Sequence, residues 1–208
     1  MYQFVETICI KNGEARGLRY HVDRMNKTIR QFFPGMSAVT EKDFFCDIPQ
    51  NEGLQKARIV YGENEITERT FAPYHMRDIQ TIAIVEDNDI EYSWKSTDRS
   101  MLVSLREEAP MHDEVIIVKN GNITDTSYTN LCFYDGSEWV TPDTPLLPGT
   151  MRQRLLDQGL VKEKRIRVAD LCKYQKVCLI NAMMELGDLV VPIDNVELLP
   201  NKRCSFSE

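Results

Sequence analysis

The chain has 208 residues, 42% of them hydrophobic and 27% charged, and its 25 Lys+Arg against 32 Asp+Glu give a formal net charge of −7. This composition suits one large globular domain or two small ones. So acidic a balance argues against sequence-independent binding to nucleic acid, which needs a net basic footprint, and no apolar run approaches the roughly 18–20 residues that span a bilayer.

In chain order, Val5–Ile10 reads as a strand, and Asn12-Gly13 turns it into a short second strand. Val22, Met25, Ile29, Phe32 and Phe33 recur at helical spacing, which predicts a helix over Tyr20–Phe33 stopped by Pro34-Gly35. On that wheel Arg24 falls opposite the apolar stripe. A hairpin around Gly62-Glu63-Asn64 joins Ala57–Tyr61 to Ile66–Phe71, and Thr81–Val85 is a buried strand. The acidic stretch Glu86-Asp87-Asn88-Asp89 marks a boundary at about 86–91, giving a small N-terminal α+β domain (1–86) and a larger, mostly β domain (91–208). Asn120-Gly121 separates Val115–Val118 from Ile123–Thr126, and Asp135-Gly136 separates Leu131–Tyr134 from Trp139–Thr141. A helix follows over Thr150–Gln158 with Gly159 as its stop, then a weaker one over Ala169–Tyr174 and late strands at Lys176–Ile180 and Leu189–Val191. The fold class is α+β, with antiparallel sheet built from local hairpins and no strand–helix–strand alternation.

The opening Met1-Tyr2-Gln3-Phe4-Val5-Glu6 lacks the basic and apolar regions of a signal peptide. The six cysteines (Cys9, Cys46, Cys132, Cys172, Cys178, Cys204) have no CxxC spacing, which suits reduced thiols and a cytoplasmic location. His21, His75 and His112 show no metal-ligand spacing with Cys172 or Cys178, so no metal is expected.

Four segments could carry chemistry. Pro145-Leu146-Leu147-Pro148-Gly149-Thr150-Met151-Arg152 delivers the chain into a helix start, whose first N–H groups lack partners and favour an anion. Tyr20-His21-Val22-Asp23-Arg24 offers an arginine fork for a phosphate. Tyr92-Ser93-Trp94-Lys95-Ser96-Thr97-Asp98-Arg99 sets a lysine among aromatic and small residues, where burial would lower its pKa and free a nucleophilic amine. Ile123–Asn130 carries dense hydroxyls around one acid, Asp125. Taken singly, each also fits a plain reading: a capped helix, a solvated arginine, a surface lysine, a polar edge strand. Arg99 and Arg106 could meet a substrate carboxylate, but a solvated face is the simpler reading.

Order and spacing carry more than the parts. Phe4-Val5-Glu6-Thr7, His21-x-x-Arg24, Lys95, Asn120-Gly121-x-Ile123-Thr124-Asp125 through Asn130, Leu147-Pro148-Gly149-Thr150-Met151-Arg152 and Asn181-Ala182 together resemble the class IV aminotransferases, pyridoxal-phosphate enzymes of fold type IV. The resemblance runs from Phe4 to about Pro192. It implies a small N-terminal α/β sandwich plus a C-terminal pseudo-β-barrel, a homodimer, and pyridoxal 5'-phosphate as cofactor. It further implies that Lys95 forms a Schiff base with the cofactor and shuttles a proton. Arg24 and the Thr150 and Met151 amides, with Gly149 in the turn, would hold the phosphate. Asp125 would face the pyridine nitrogen, and Asn181-Ala182 would meet a substrate carboxylate or the phosphate. The chain departs from the pattern in three ways. Asp125 stands where Glu is usual, Met151 replaces a frequent Thr, and the opening strand comes without the usual upstream hairpin.

The resemblance implies a small amino substrate bearing a carboxylate. Asn181-Ala182-Met183 and Gly149-Thr150-Met151-Arg152-Gln153 resemble the lyase branch, 4-amino-4-deoxychorismate lyase. The alternatives are an amino acid aminotransferase of branched-chain or D-amino acid type, and a non-catalytic cofactor-binding paralogue.

Overall fold

The structure is a computed structural model that describes residues 2–45, 48, 53–63 and 65–199; Cys46, Cys204 and Asn64 of the predicted hairpin lie outside them. The first sheet contains β1 (Phe4–Lys11), β2 (Glu14–Ala15), β3 (Leu54–Tyr61) and β4 (Ile66–Pro73) in the order β2-β1-β3-β4, all antiparallel. Asn12 and Gly13 take the positive φ values, 52° and 78°, that the predicted turn requires. Helix α1 (Leu18–Phe32) and the short α2 (Glu41–Phe44) complete this unit. β1 alternates, so Phe4, Glu6, Ile8 and Ile10 share the face that meets α1, while Val5 and Thr7 face the opposite way. Phe4, Ile8, Ile10, Met25, Ile29, Ile59 and Tyr61 make one buried cluster.

Arg24 does not lie opposite the buried face of α1. That face is His21, Met25, Thr28 and Ile29, and Arg24 flanks it, with its side chain only 14% exposed. Apolar residues alone mislead here because two buried positions are polar, while Val22 and Phe32 are only partly buried.

The remaining elements are β5 (Ile82–Glu86), α3 (Ser100–Glu107), β6 (Glu114–Lys119), β7 (Asn122–Thr126), β8 (Asn130–Tyr134), β9 (Trp139–Pro142), α4 (Thr150–Asp157), β10 (Lys162–Lys164), β11 (Lys176–Ile180), β12 (Val190–Pro192) and β13 (Val196–Leu198). They form two sheets, β13-β5-β6-β7 and β10-β9-β8-β11-β12. Ile84, Ile116, Val118, Ile123, Leu131, Phe133, Val177 and Leu179, drawn from both, share one core. Asn120-Gly121 again has positive φ at both positions, 53° and 71°. The segment read as a weaker helix is a 3-10 turn over Val168–Lys173.

The sheets are not purely antiparallel. β5 pairs parallel with β6 and with β13, and β9 pairs parallel with β10. β5–α3–β6 is therefore a strand–helix–strand crossover, which parallel pairing requires. Its helix escaped sequence reading because only Leu102 and Leu105 of α3 are buried, too few to set a period. β5 precedes residues 86–91, where the sequence suggests a division, yet its sheet partners lie in the later half of the chain.

Candidate active site

Three segments converge where the first sheet meets the rest of the chain. The 92–97 loop is pinned to the start of β1: Val5 N–H donates to Lys95 O at 2.9 Å, and Thr97 N–H to Gln3 O at 3.0 Å. Trp94 packs edge-on against Phe32 with ring centroids 5.2 Å apart. Lys95 stands between two cavities, of about 660 Å³ and about 610 Å³, and Arg24, Leu147, Gly149 and Thr150 line both with it. Desolvation, then the nearby Arg24 cation, pushes the Lys95 amine down to about 8.

The arginine is not loose. Arg24 Nε donates to Glu6 Oε1 at 2.9 Å and Nη2 to Glu6 Oε2 at 2.5 Å. Glu6 is fully buried and also accepts from His21 Nδ1 at 2.6 Å. On the far side of the ring, His21 Nε2 lies 3.4 Å from the Thr150 hydroxyl. Although burial opposes ionisation, the Arg24 charge and the His21 and Arg24 hydrogen bonds leave Glu6 ionised, at about 2. His21 is pushed down by its burial, so it stays neutral.

Asp125, on β7, sits in a locked unit. Its Oδ1 accepts from Asn130 Nδ2 at 2.7 Å and its Oδ2 from the Leu147 amide at 2.8 Å. Asn130 Nδ2 also donates to Leu147 O at 2.8 Å. Burial raises the Asp125 carboxyl to about 7, against the pull of the Leu147 and Asn130 bonds and the Arg152 charge. Gly149 passes so close to Asn130 that a Cβ there would sit 1.9 Å from Asn130 Oδ1. α4 starts at once after it, and the amides of Thr150 and Met151 have no partner among the described residues.

Seven of the eight predicted site residues line the larger cavity: Arg24, Lys95, Asp125, Gly149, Thr150, Asn181 and Ala182. Asn181 is braced by its side chain, whose Oδ1 accepts from Met183 N–H at 2.8 Å. The Met151 side chain instead packs under α4 with Cys132, Leu155 and Cys178, so that position can offer only its backbone. Arg99 lines the cavity and donates to Ser127 O at 2.8 Å. Arg106 is spent on the carbonyls of Ala109, His112 and Asp113. Sequence reading missed Glu6 as a chemical group; the signal was a carboxylate in the core-facing register of β1. It also missed Lys56 and Tyr128, which line the cavity from β3 and the β7–β8 turn.

A half-buried amine of lowered pKa, an arginine fork with free N–H groups, two open helix amides and a carboxyl facing one cavity form a set of groups suited to a phosphorylated carbonyl compound. The amino-transferase class IV family profile matches residues 63–191, and the chain belongs to that family. It is 38% identical over 187 residues to an uncharacterized protein of Haemophilus influenzae, covering 88% of this chain and 98% of that one. Among solved structures, it is similar to a Haemophilus somnus 129pt protein provisionally named 4-amino-4-deoxychorismate lyase. That match has 33% identity and a TM-score of 0.79, covering 89% of this chain and 98% of that one. A hypothetical aminotransferase of Mycobacterium tuberculosis, solved in its PLP-bound form, shares the fold at 16% identity with a TM-score of 0.73, over 93% of this chain and 81% of that one.

Proposed function

We propose that the protein is a pyridoxal-phosphate-dependent 4-amino-4-deoxychorismate lyase, releasing pyruvate and 4-aminobenzoate, and that it works in the cytoplasm as a homodimer. The observation that carries the reading is Lys95: a desolvated amine facing one cavity with Arg24, Asp125 and the start of α4. When bound, the cofactor supplies an electron sink for bonds at the substrate carbon that bears the amine.

The chain's own residues do the rest. Arg24 offers the N–H groups that Glu6 leaves free, and the Thr150 and Met151 amides add the partial positive charge of the α4 start. Lys95 would hold the cofactor through its Nζ, and its free amine would be the base that moves a proton at the substrate carbon. Asp125, fixed by Asn130 and Leu147, would be the residue to face the ring nitrogen. Its side chain is one methylene shorter than Glu, so the Asn130–Leu147 clamp sets how far it reaches.

The cleft supports a substrate with more than one negative charge. In an acidic chain, the larger cavity is lined by Arg24, Lys56, Arg58, Arg77, Lys95 and Arg99 and by one acid, Asp125. Arg77 is paired with Glu114 and Arg58 with Glu68, while Lys56 and Arg99 make no ion pair among the described residues. Aminodeoxychorismate, with two carboxylates, suits a cavity with this excess of cations. The test is to incubate the cofactor-loaded protein with aminodeoxychorismate and no keto acid. Release of pyruvate supports the lyase; turnover that demands a keto-acid acceptor makes the protein an aminotransferase, and neither outcome would leave a cofactor-binding protein without this chemistry.

A further inference from the structure

Glu6 is unusual for an anion site: a fully buried carboxylate bonded directly to the arginine that faces the anion. It acts on two donors at once. On one side it takes the Nε and Nη2 edge of Arg24 and cancels its charge. On the other it takes the His21 Nδ1 hydrogen at 2.6 Å. An ionised carboxylate only accepts, so Nδ1 must be the protonated nitrogen of the neutral ring. Nε2 is then a lone pair, and the hydroxyl 3.4 Å away, Thr150 Oγ, must turn its hydrogen inward to it. The burial of His21, which disfavours the imidazolium, keeps the chain of hydrogen bonds running in that direction.

We propose that Glu6 is a specificity-determining residue of the anion site. By neutralising Arg24 and, through His21, by turning the Thr150 hydroxyl inward, it makes the site a poor host for free inorganic phosphate and reserves it for a phosphate tethered to a ring that Lys95 captures. What remains for the anion is the outer edge of Arg24 and the amides of Thr150 and Met151. That donor set is strong enough to orient a phosphate monoester held at its other end, and too weak to retain a free dianion. The inference rests on the assignment of Arg24 and Thr150 to the phosphate in the proposed function.

Replacing Glu6 by Gln removes the neutralising charge. Arg24 keeps its full charge. Because Oε2 accepts from both Arg24 Nη2 and His21 Nδ1, either orientation of the Gln amide sets its NH2 against an Arg24 N–H, so the fork is released from residue 6 and is free to turn to the anion.

The experiment titrates the cofactor-free wild type and the Glu6→Gln variant with inorganic phosphate, read by calorimetry and by tryptophan fluorescence, and each with pyridoxal phosphate. The wild type is expected to bind inorganic phosphate with a dissociation constant above roughly 10 mM, and Glu6→Gln at least tenfold more tightly. An unchanged or weaker phosphate affinity in the variant, or sub-millimolar phosphate binding by the wild type, overturns the proposal. If Glu6→Gln does not fold, ¹⁵N shifts of the histidine rings in the wild type decide it. His21 should be the neutral tautomer protonated at Nδ1, and an Nε2-protonated or doubly protonated ring contradicts the proposal. Failure of the parent reading shows separately: the wild type would then not bind pyridoxal phosphate at all.

Discussion

A Cβ on residue 149 would lie 1.9 Å from Asn130 Oδ1, so the glycine of the helix-entry turn and the asparagine that opens β8 are built against each other. The same asparagine amide holds Asp125 Oδ1 at 2.7 Å and Leu147 O at 2.8 Å. Two motifs that lie apart in sequence are one mechanical unit, and the position of the Asp125 carboxylate depends on the backbone path through Gly149. Gly149 has an ordinary extended conformation, φ −72° and ψ 150°, so its requirement is for space and not for an unusual dihedral.

The Gly149→Ala substitution should therefore act through Asn130. Moving that side chain costs about 1–3 kcal/mol of stability, as overpacking does, and loosens Asp125. Thermal melts should show the loss, and cofactor affinity should fall more than the stability change alone accounts for.

Asp125 titrates at about 7 in the folded chain against 3.8 for an ordinary aspartate. A folded-state pKa raised above the unfolded one means that the Asp125 contribution to stability is fully present below about pH 4 and is lost as pH rises through about 7, by roughly 4 kcal/mol at most. Asp125→Asn removes that penalty but leaves one of two donors, Asn130 Nδ2 or the Leu147 amide, without its acceptor, at about 1–3 kcal/mol. The variant should be more stable than wild type by about 1–3 kcal/mol at pH 8, with the advantage gone at pH 4. Denaturant melts at the two pH values check this.

With Lys95 at about 8, the neutral amine grows as pH rises toward that value and saturates above it. The rate at which the cofactor-free protein captures pyridoxal phosphate covalently should rise about tenfold per pH unit below pH 7 and level off above about 8.5. Stopped-flow absorbance measures it. A profile still rising at pH 10 would mean an unshifted lysine.

Lys56→Gln and Arg99→Gln should each raise KM for a dicarboxylate substrate by about three- to tenfold with little change in kcat, and the effect should shrink as salt is added. Steady-state kinetics at 20 mM and 300 mM salt, as about the range in which screening changes strongly, provide the comparison.

Much of this was legible in the sequence. Asn-Gly pairs mark two hairpins because positive φ closes such turns, and the order of motifs from Phe4 to Ala182 picks out seven residues that line one cavity. Three things were not. The parallel pairing of β5 with β6 depends on which distant strand completes the sheet, and local pattern does not encode that. Helix α3 buries only two side chains, so its period is too faint to read. Glu6 escapes as a chemical group because its partners His21 and Arg24 lie on a helix whose buried face is partly polar, and an apolar count places that face wrongly.

The central claim is that Lys95 is the residue that holds the cofactor. Loading the protein with pyridoxal phosphate, reducing with borohydride and mapping the peptides by mass spectrometry tests it directly. The account predicts one reduced phosphopyridoxyl adduct, on Lys95, absent from Lys95→Met. An adduct on another lysine, or none in a folded protein, would contradict it.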